Sequence, residues 1–235
     1  MSQPEPLPDF PIDVLHDDGD LLAVFKPSGV VVHRGWNAAD RPMLQRVRDH
    51  VGAYVHPIHR LDRGTSGVLL FARTPQTARR LGLAFEAGEV RKEYLAMVRG
   101  HLGERYPKAR TEGGLHIDYP VPRTENGERI DAQTTVFEVE PSVTERASLV
   151  RAHPHTGRFH QIRRHLKHLR HPIVGDVRYG DGKVNRHFRD HHGFARLALH
   201  AHRLHVESLT LEAPPPTFPG FPPAHATDRR GRVDQ

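Results

Sequence analysis

The segment His59–Ala72 places one carboxylate, Asp62, between two guanidinium groups, Arg60 and Arg63. Turn-forming residues follow at 64–67, and then an apolar run that is too dense for a solvent-facing strand. This pattern predicts that Asp62 lies on a loop just before a buried strand, where a rigid scaffold can aim it into a cleft. In an extended segment, Arg60 and Asp62 would point the same way, because they stand two residues apart. Such a carboxylate is compatible with a structural ion pair and with a catalytic group.

A second cluster, Thr156–Leu166, combines a flexible entry at Gly157 with many basic residues. Apolar side chains at helical spacing predict a helix from about 159 to 170. The basic residues of this helix lie outside the apolar stripe. The basic surface that they form is compatible with a solvated face and with a functional face. A sharper hypothesis is that one of these arginines pairs with Asp62, because a guanidinium keeps a partly desolvated carboxylate charged.

Composition narrows the class of protein. The 235 residues suffice for one domain or at most two, and 37% hydrophobic content is typical of a folded soluble protein. No apolar stretch approaches the ~18 residues of a membrane span, and the first residues do not resemble a signal peptide. The absence of cysteine is compatible with a reducing cytoplasm, where we expect the protein. A net charge of +6 favours polyanionic partners such as RNA.

The secondary-structure pattern predicts an α+β fold. Strands are predicted at 21–25, 30–32, 92–99, 133–139, 147–152, 197–206 and 208–212. Helices are predicted from an Asp40 cap to Gly52, from Thr74-Pro75 to near Gly88, and at 159–170. Residues 26–29 are predicted to form a turn and 101–131 a loop with little regular structure. Because strands and helices do not alternate strictly, a largely antiparallel or mixed sheet is favoured.

At these two clusters the chain resembles the RluA-type pseudouridine synthases. His59-Arg60-Leu61-Asp62 with Thr65-Ser66-Gly67 is similar to the catalytic motif of that family, and residues 157–165 are similar to its C-terminal motif. Further matching segments stand in the family's order at 26–29, 92–94, 132–134, 171–176 and 199–201. The resemblance covers about residues 12–213 and implies a catalytic domain there. The composition of the flanking residues predicts a loose N-terminal arm at 1–11 and a proline-rich, basic tail at 214–235. It also implies a central, mostly antiparallel or mixed sheet flanked by helices, with an RNA-binding active-site cleft.

The family isomerises a uridine in RNA, whose base detaches from the ribose, rotates and rejoins through carbon. The resemblance implies that Asp62 is the nucleophile, attacking either the ribose anomeric carbon or the uracil ring. Arg60 would fill the space left by the flipped nucleotide and hold its phosphate. Tyr94 would stack on the uracil and help to remove the C5 proton. Arg163 would pair with Asp62, and Ile162 would form an apolar wall beneath the base.

The same resemblance adds His59 and Arg158 as substrate-binding residues, and it implies that neither a metal nor an organic cofactor is required. Ordinary core packing is the alternative for Tyr94 and Ile162.

The substrate is expected from His33-Arg34-Gly35-Trp36, which is similar to a motif of family members that modify uridine 65 of certain tRNAs. We therefore expect His33, Arg34 and Trp36 to bind substrate, with tRNA as the partner of a monomeric enzyme that does not bind membranes. Ribosomal RNA or another tRNA site is the alternative.

Three other classes of protein share features of this sequence. The 20 histidines suggest a metal-dependent hydrolase, with one group on the predicted helix and another on a strand, namely His160, His165, His168, His171, His200, His202 and His205. No HExxH motif accompanies them, so most are predicted to face solvent or RNA. A serine hydrolase is disfavoured because no G-x-S-x-G elbow is present, so Thr65 and Ser66 are interpreted as turn residues. A non-catalytic RNA-binding protein would share the basic charge but not the need for Asp62.

Overall fold

The computed structural model describes residues 9–33 and 41–221. Within these ranges the chain divides into two compact units. The first comprises the residues up to Lys92 together with Ala201–Ala213, and the second comprises Glu93–His200 and the segment that begins at Pro214. Both units combine helices with antiparallel strands, so the predicted α+β class is confirmed. Among the described residues, no helix is both long and apolar enough to cross a membrane.

The first unit is built around a strand whose residues are all buried. Its elements are β1 (Val14–Asp17), β2 (Leu21–Lys26), α1 (Met43–Val51), β3 (His56–Pro57), β4 (Ser66–Ala72), α2 (Pro75–Glu86), most of β11 (Leu199–Val206) and β12 (Leu209–Glu212). The buried strand is β4, and it pairs antiparallel with β2 in a register that sets Gly67 opposite Lys26. Leu81 of α2 packs with Val68 and Leu70 of β4 in the core of this unit. The dense apolar run after Asp62 is therefore a fully buried strand, as predicted.

The second unit contains a longer antiparallel sheet. Its elements are most of β5 (Arg91–Arg99), α3 (Leu102–Arg105), a 3-10 turn (Pro107–Arg110), β6 (Leu115–Asp118), β7 (Val121–Pro122), β8 (Arg129–Ile130), β9 (Gln133–Pro141), β10 (Ala147–Pro154), α4 (Gln161–His168) and α5 (Gly182–His192). The strand order is β5-β10-β9-β6, antiparallel at every step. Ile162 and Leu166 of α4 are buried in one cluster with Ala96, Val98 and Val150 of the sheet. Burial of this apolar stripe explains why α4 forms where helical spacing predicted it.

The predicted strand at 30–32 is wrong, because its backbone carbonyl groups have other partners. Val31 O and Val32 O accept from the first backbone N–H groups of α1, and Val30 O accepts from the Lys26 ammonium. The predicted Asp40 cap is also wrong, since α1 begins at Met43 after Pro42. Asp40 itself lies outside the described residues. These carbonyl groups satisfy the N–H groups that a side-chain cap would otherwise serve.

Other boundaries differ from the sequence prediction for identifiable reasons. The region 101–131 contains two short helical turns and three short strands, where a loop was predicted. Helix α5 was not predicted, because Phe188 is its one buried residue and the apolar stripe is too sparse to detect. The described part of the tail, 214–221, has no helix or strand, yet Phe218 and Phe221 are buried in the core of the second unit.

Candidate active site

Asp62 lies in the loop between β3 and β4, where the sequence predicted it. Exposure alternates along this loop: Arg60 is exposed, Leu61 is buried and Asp62 is half-buried. Arg60 and Asp62 thus lie on the more open face, while Leu61 anchors the loop in the protein. Thr65 N donates to Asp62 O over 3.0 Å, which closes a tight turn directly after the carboxylate. The loop presents a carboxylate on a constrained backbone.

A second loop, residues 27–30, supports the Asp62 loop by reciprocal hydrogen bonds. Gly29 N donates to Arg63 O over 2.8 Å, and Arg63 Nε donates back to Gly29 O over 2.9 Å. Ser28 Oγ donates to Gly64 O over 2.7 Å. These bonds fix the backbone on the C-terminal side of Asp62, and Arg63 serves this support rather than pointing away as a solvated charge.

Lys26 completes this support from inside the protein. Its side chain is 0% exposed, and its Nζ donates to Val30 O at 2.6 Å, Pro27 O at 2.9 Å and Arg63 O at 3.1 Å. Three carbonyl acceptors match the three donors of an ammonium group. Burial lowers the pKa of Lys26 to about 7, and the charge of the nearby Asp62 opposes that shift. Lys26 therefore joins both loops, and in its protonated form it places a positive charge close to the candidate nucleophile.

His59 is packed as a neutral imidazole. Its Nε2 accepts from Leu70 N over 3.1 Å, and its ring stacks on Phe85 with centroids 5.3 Å apart. Burial lowers the pKa of His59 to about 4, with a smaller contribution from the charge of Lys92. The contacts show that His59 attaches the start of the Asp62 loop to β4. A contact between His59 and RNA stays a prediction.

Two further basic residues, His33 and Arg48, lie near Arg60 of this loop. The pKa of His33 is lowered, first by burial and then by the positive charges of Arg60 and Arg48. The Arg48 guanidinium lies 3.7 Å above the centre of the exposed Tyr54 ring. Cations and an exposed aromatic ring are the groups that bind phosphates and stack on bases. The other predicted contacts of this region, Arg34 and Trp36, lie outside the described residues.

In the second unit, Arg163 of α4 forms a buried, two-pronged ion pair with Asp176. Arg163 Nε and Nη2 lie 2.8 and 2.9 Å from the two carboxylate oxygens of Asp176, and the side chains are 10% and 0% exposed. The same carboxylate accepts from Arg178 N and Tyr179 N. Burial opposes ionisation of Asp176, but the Arg163 hydrogen bonds hold its pKa below its ordinary value. Asp176 thereby fixes the plane of the guanidinium.

Asp176 was not predicted from the sequence to be the ion-pair partner of Arg163. The segment 171–176 matched the family, but no role was given to its final carboxylate. The pairing predicted from sequence, Arg163 with Asp62, stays a prediction.

Gln161 and His165 hold the entry of α4 against the sheet. Gln161 Oε1 accepts from Thr156 Oγ1 and Arg158 N, while its Nε2 donates to Gln133 O and Thr134 Oγ1. His165 is fully buried and lies 2.9 Å from both Thr134 Oγ1 and a backbone carbonyl. Burial lowers the pKa of His165, so it is neutral and structural.

The interpretation that most of the clustered histidines face solvent or RNA is therefore wrong. Of the seven residues considered, four are buried: His165, His171, His200 and His202. The helix and strand spacings that suggested metal ligands instead place these imidazoles in the protein interior.

The remaining predicted site residues of this unit lie on two elements. Tyr94 is half-buried on β5 and packs against the core, and Ile162 is 6% exposed within that core. Both positions fit core packing, and their contacts with uracil stay predictions. Arg158 is exposed just before α4, where its Nε donates to Asp131 O over 3.2 Å. The exposed side chains of Lys167 on this helix and of Arg170 just after it add further positive charge.

Comparison with known proteins identifies the family. A model of the RNA pseudouridylate synthase family matches residues 20–168. This chain belongs to that family. A protein of Pasteurella multocida (strain Pm70) named tRNA pseudouridine synthase C is 44% identical over 211 residues, which cover 82% of this chain and 84% of that protein. A Haemophilus ducreyi (strain 35000HP / ATCC 700724) protein of the same name is 42% identical over 222 residues, covering 86% and 90% of the two chains.

A solved structure agrees with these relatives. Human RNA Pseudouridylate Synthase Domain Containing 1 superposes with a TM-score of 0.68 at 25% identity, covering 88% of this chain and 84% of that one. The fold predicted from the motifs is therefore confirmed. As a member of this family the protein is an isomerase that acts on RNA.

Proposed function

We propose that the protein converts uridine to pseudouridine in tRNA, at position 65, with Asp62 as the nucleophile. The observation that carries this proposal is the Asp62 loop, which a fully buried lysine and a reciprocal set of backbone hydrogen bonds hold in place. A surface ion pair would not need such support, whereas a nucleophile must be held in a productive geometry. The names of the relatives, tRNA pseudouridine synthase C, support tRNA as the substrate.

The proposed chemistry is an isomerisation without net redox change, so it requires no cofactor. Asp62 attacks either the ribose anomeric carbon or the uracil ring and forms a covalent bond to it, and the bond from N1 to the ribose breaks. The bond from C5 to the ribose then forms, and the bond to Asp62 breaks, which restores the carboxylate. Finally C5 loses its proton and N1 takes one up, and we propose that Tyr94 assists the loss of the C5 proton through its hydroxyl group. The half-buried position of Tyr94 at the edge of the core agrees with a ring that stacks on a base.

The exposed arginine beside the nucleophile is proposed to replace the flipped base. Arg60 is exposed next to the half-buried Asp62. Its guanidinium group is therefore solvated in the free protein and accessible to a nucleotide. Arg163 is proposed as the ion-pair partner of Asp62. Its Nε and Nη2 are oriented by Asp176, which is how a buried guanidinium is preorganised for a second anion. Arg158, His33 and His59 are proposed as substrate contacts, with Ile162 as the wall beneath the base.

We propose further that the enzyme is a monomer in the cytoplasm, where tRNA is found. The large apolar side chains that are exposed among the described residues lie singly in separate segments of the chain, which supports a monomer. Light scattering on the purified protein tests the oligomeric state.

The test of the function is pseudouridine mapping on RNA from a host that lacks its own counterpart. Cells would express the wild-type protein, Asp62→Ala, or the control Asp190→Ala, which changes an exposed aspartate on α5. We expect a new pseudouridine at tRNA position 65 with the wild type and the control only. A signal in ribosomal RNA or at another tRNA site would keep the chemistry and overturn the substrate. Equal signals with Asp62→Ala would overturn the assignment of the nucleophile.

A further inference from the structure

Two imidazoles and one carboxylate meet in the second unit, at the C-terminal end of α5. They belong to Glu145, His187 and His192, whose candidate ligand atoms all lie within 4.8 Å of one another. One carboxylate oxygen of Glu145 is 2.8 Å from His187 Nε2, and the other is 2.6 Å from His192 Nε2. The proposed uridine chemistry uses none of these residues, so the cluster needs a separate explanation.

The backbone that carries Glu145 is fixed by its own hydrogen bonds. Ser142 is buried, and its Oγ accepts from Glu145 N over 3.0 Å and donates to Gly220 O over 3.1 Å. Ala147 N donates to Glu145 O over 2.8 Å, and Ser142 N donates to Ala147 O over 2.9 Å. The carboxylate therefore extends from a rigid turn between β9 and β10, and its direction is set before any ligand arrives.

The two histidines are held by a well-anchored helix. Phe188 is buried in the core of the second unit, and its neighbour His187 lies beside it on the outer face of α5. Asp181 caps the start of the helix by accepting from two backbone N–H groups, and Gly193 ends it in the left-handed conformation with φ of 62°. The spacing of His187 and His192 is thus set by one rigid element, and Glu145 is supplied from another.

The charge and exposure of the cluster suit a cation. The side chains of Glu145, His187 and His192 are 15%, 43% and 28% exposed, so an ion and a bound water can enter from solvent. A carboxylate with two imidazole nitrogens is a ligand set that zinc prefers, whereas Mg²⁺ and Ca²⁺ prefer oxygen ligands alone.

We propose that Glu145, His187 and His192 bind one divalent cation of the zinc class, with solvent as the fourth ligand. Bonds of about 2.0–2.2 Å in a tetrahedral site separate ligand atoms by about 3.4 Å. The ligand atoms lie between 2.6 and 4.8 Å apart, so side-chain adjustments of about 1 Å or less at each residue reach that geometry. The ion takes the place of the Nε2 protons between the imidazoles and the carboxylate. It joins the end of α5 to the turn between β9 and β10 and takes no part in the uridine reaction.

The experiment uses the full chain without a histidine tag, stripped with a chelator and then titrated with Zn²⁺ against a chromophoric competitor. We expect one tight equivalent for the wild type. The variants Glu145→Gln, His187→Gln and His192→Gln should each bind at least about tenfold more weakly, since loss of even an outer partner of a metal site often costs 10–100-fold. The control His50→Gln removes an exposed histidine on α1 and should bind like the wild type.

A second readout separates a built site from scattered surface histidines. Co²⁺ added to the stripped protein should give the intense visible absorption of a tetrahedral ion, and His192→Gln should remove it. Tight Zn²⁺ binding that survives in a variant carrying all three substitutions would overturn the proposal. A wild-type protein that binds no equivalent of Zn²⁺ would overturn it as well. Because the readouts are metal binding and absorption, they succeed or fail independently of the proposed tRNA activity.

Discussion

Replacement of Lys26 by methionine tests whether the support beneath Asp62 matters for function. The substitution keeps the length of a side chain that is 0% exposed and removes hydrogen bonds to Val30 O, Pro27 O and Arg63 O. Arg63 O keeps a second donor, Gly29 N, so the other two carbonyl groups lose the most. A buried carbonyl left without a donor costs about 1–3 kcal/mol, and two cost about 2–6 kcal/mol.

Burial of the apolar methionine side chain offsets part of that loss. We therefore expect the free energy of unfolding of Lys26→Met to fall by about 2–3 kcal/mol, measured by urea unfolding. With the folded variant, kcat on tRNA should fall much more than KM changes, because the nucleophile loses its orientation while the RNA-binding surface stays in place.

The control for this prediction is Lys108→Met, which removes an exposed lysine from the 3-10 turn. It should leave the stability within about 0.5 kcal/mol of the wild type. A Lys26→Met variant with wild-type stability and a wild-type rate on tRNA would refute the supporting role of Lys26.

Three further predictions concern other parts of the site. Asp176→Asn should lower the free energy of unfolding by about 3 kcal/mol and also lower kcat, because it leaves a buried guanidinium without its counter-charge. Gly67→Ala should destabilise severely, as measured by soluble yield and thermal unfolding, because its φ is +119° and a Cβ would lie 2.1 Å from a backbone oxygen. Because of His59, the free energy of unfolding measured with urea should fall as the pH is lowered from about 6.5 to about 4. Over that range His59 binds a proton in the unfolded chain but not in the folded protein, where its pKa is about 4.

Each of these predictions has a matched control. Asp190→Asn removes an exposed ion pair and should change stability by less than about 1 kcal/mol, so an equal effect at both aspartates would contradict the buried-pair argument. Gly82→Ala lies in α2 with open space around its Cβ and should stabilise by about 0.5–1 kcal/mol. A His59→Gln variant with the same pH dependence as the wild type would show that other groups cause the loss.

The candidate nucleophile was predictable because its signal is local. Asp62, its flanking arginines and the following apolar run stand within one short segment, so the sequence alone places a carboxylate before a buried strand. The support beneath it was not predictable in the same way. Lys26 acts through backbone carbonyl groups, which every residue possesses, and one of them belongs to Arg63, far along the chain.

The errors in secondary structure have a related cause. Residues 30–32 have the composition of a strand, but their carbonyl groups serve α1 and Lys26. Helix α5 forms although its sequence did not predict it. Its short apolar stripe gives little periodic signal, and the buried side chain of Phe188 anchors it. In both segments the secondary structure depends on contacts with residues distant in the chain, and the periodicity of the sequence does not reveal such contacts.

The most direct test of the central claim is site-resolved pseudouridine mapping after incubation of purified protein with unmodified tRNA. We expect a new pseudouridine at position 65 with the wild type and none with Asp62→Ala, while both proteins bind the tRNA with similar affinity and have similar unfolding midpoints. Pseudouridine formed at the wild-type rate by Asp62→Ala would contradict the assignment of Asp62 as the nucleophile, because the reaction would then not need this carboxylate.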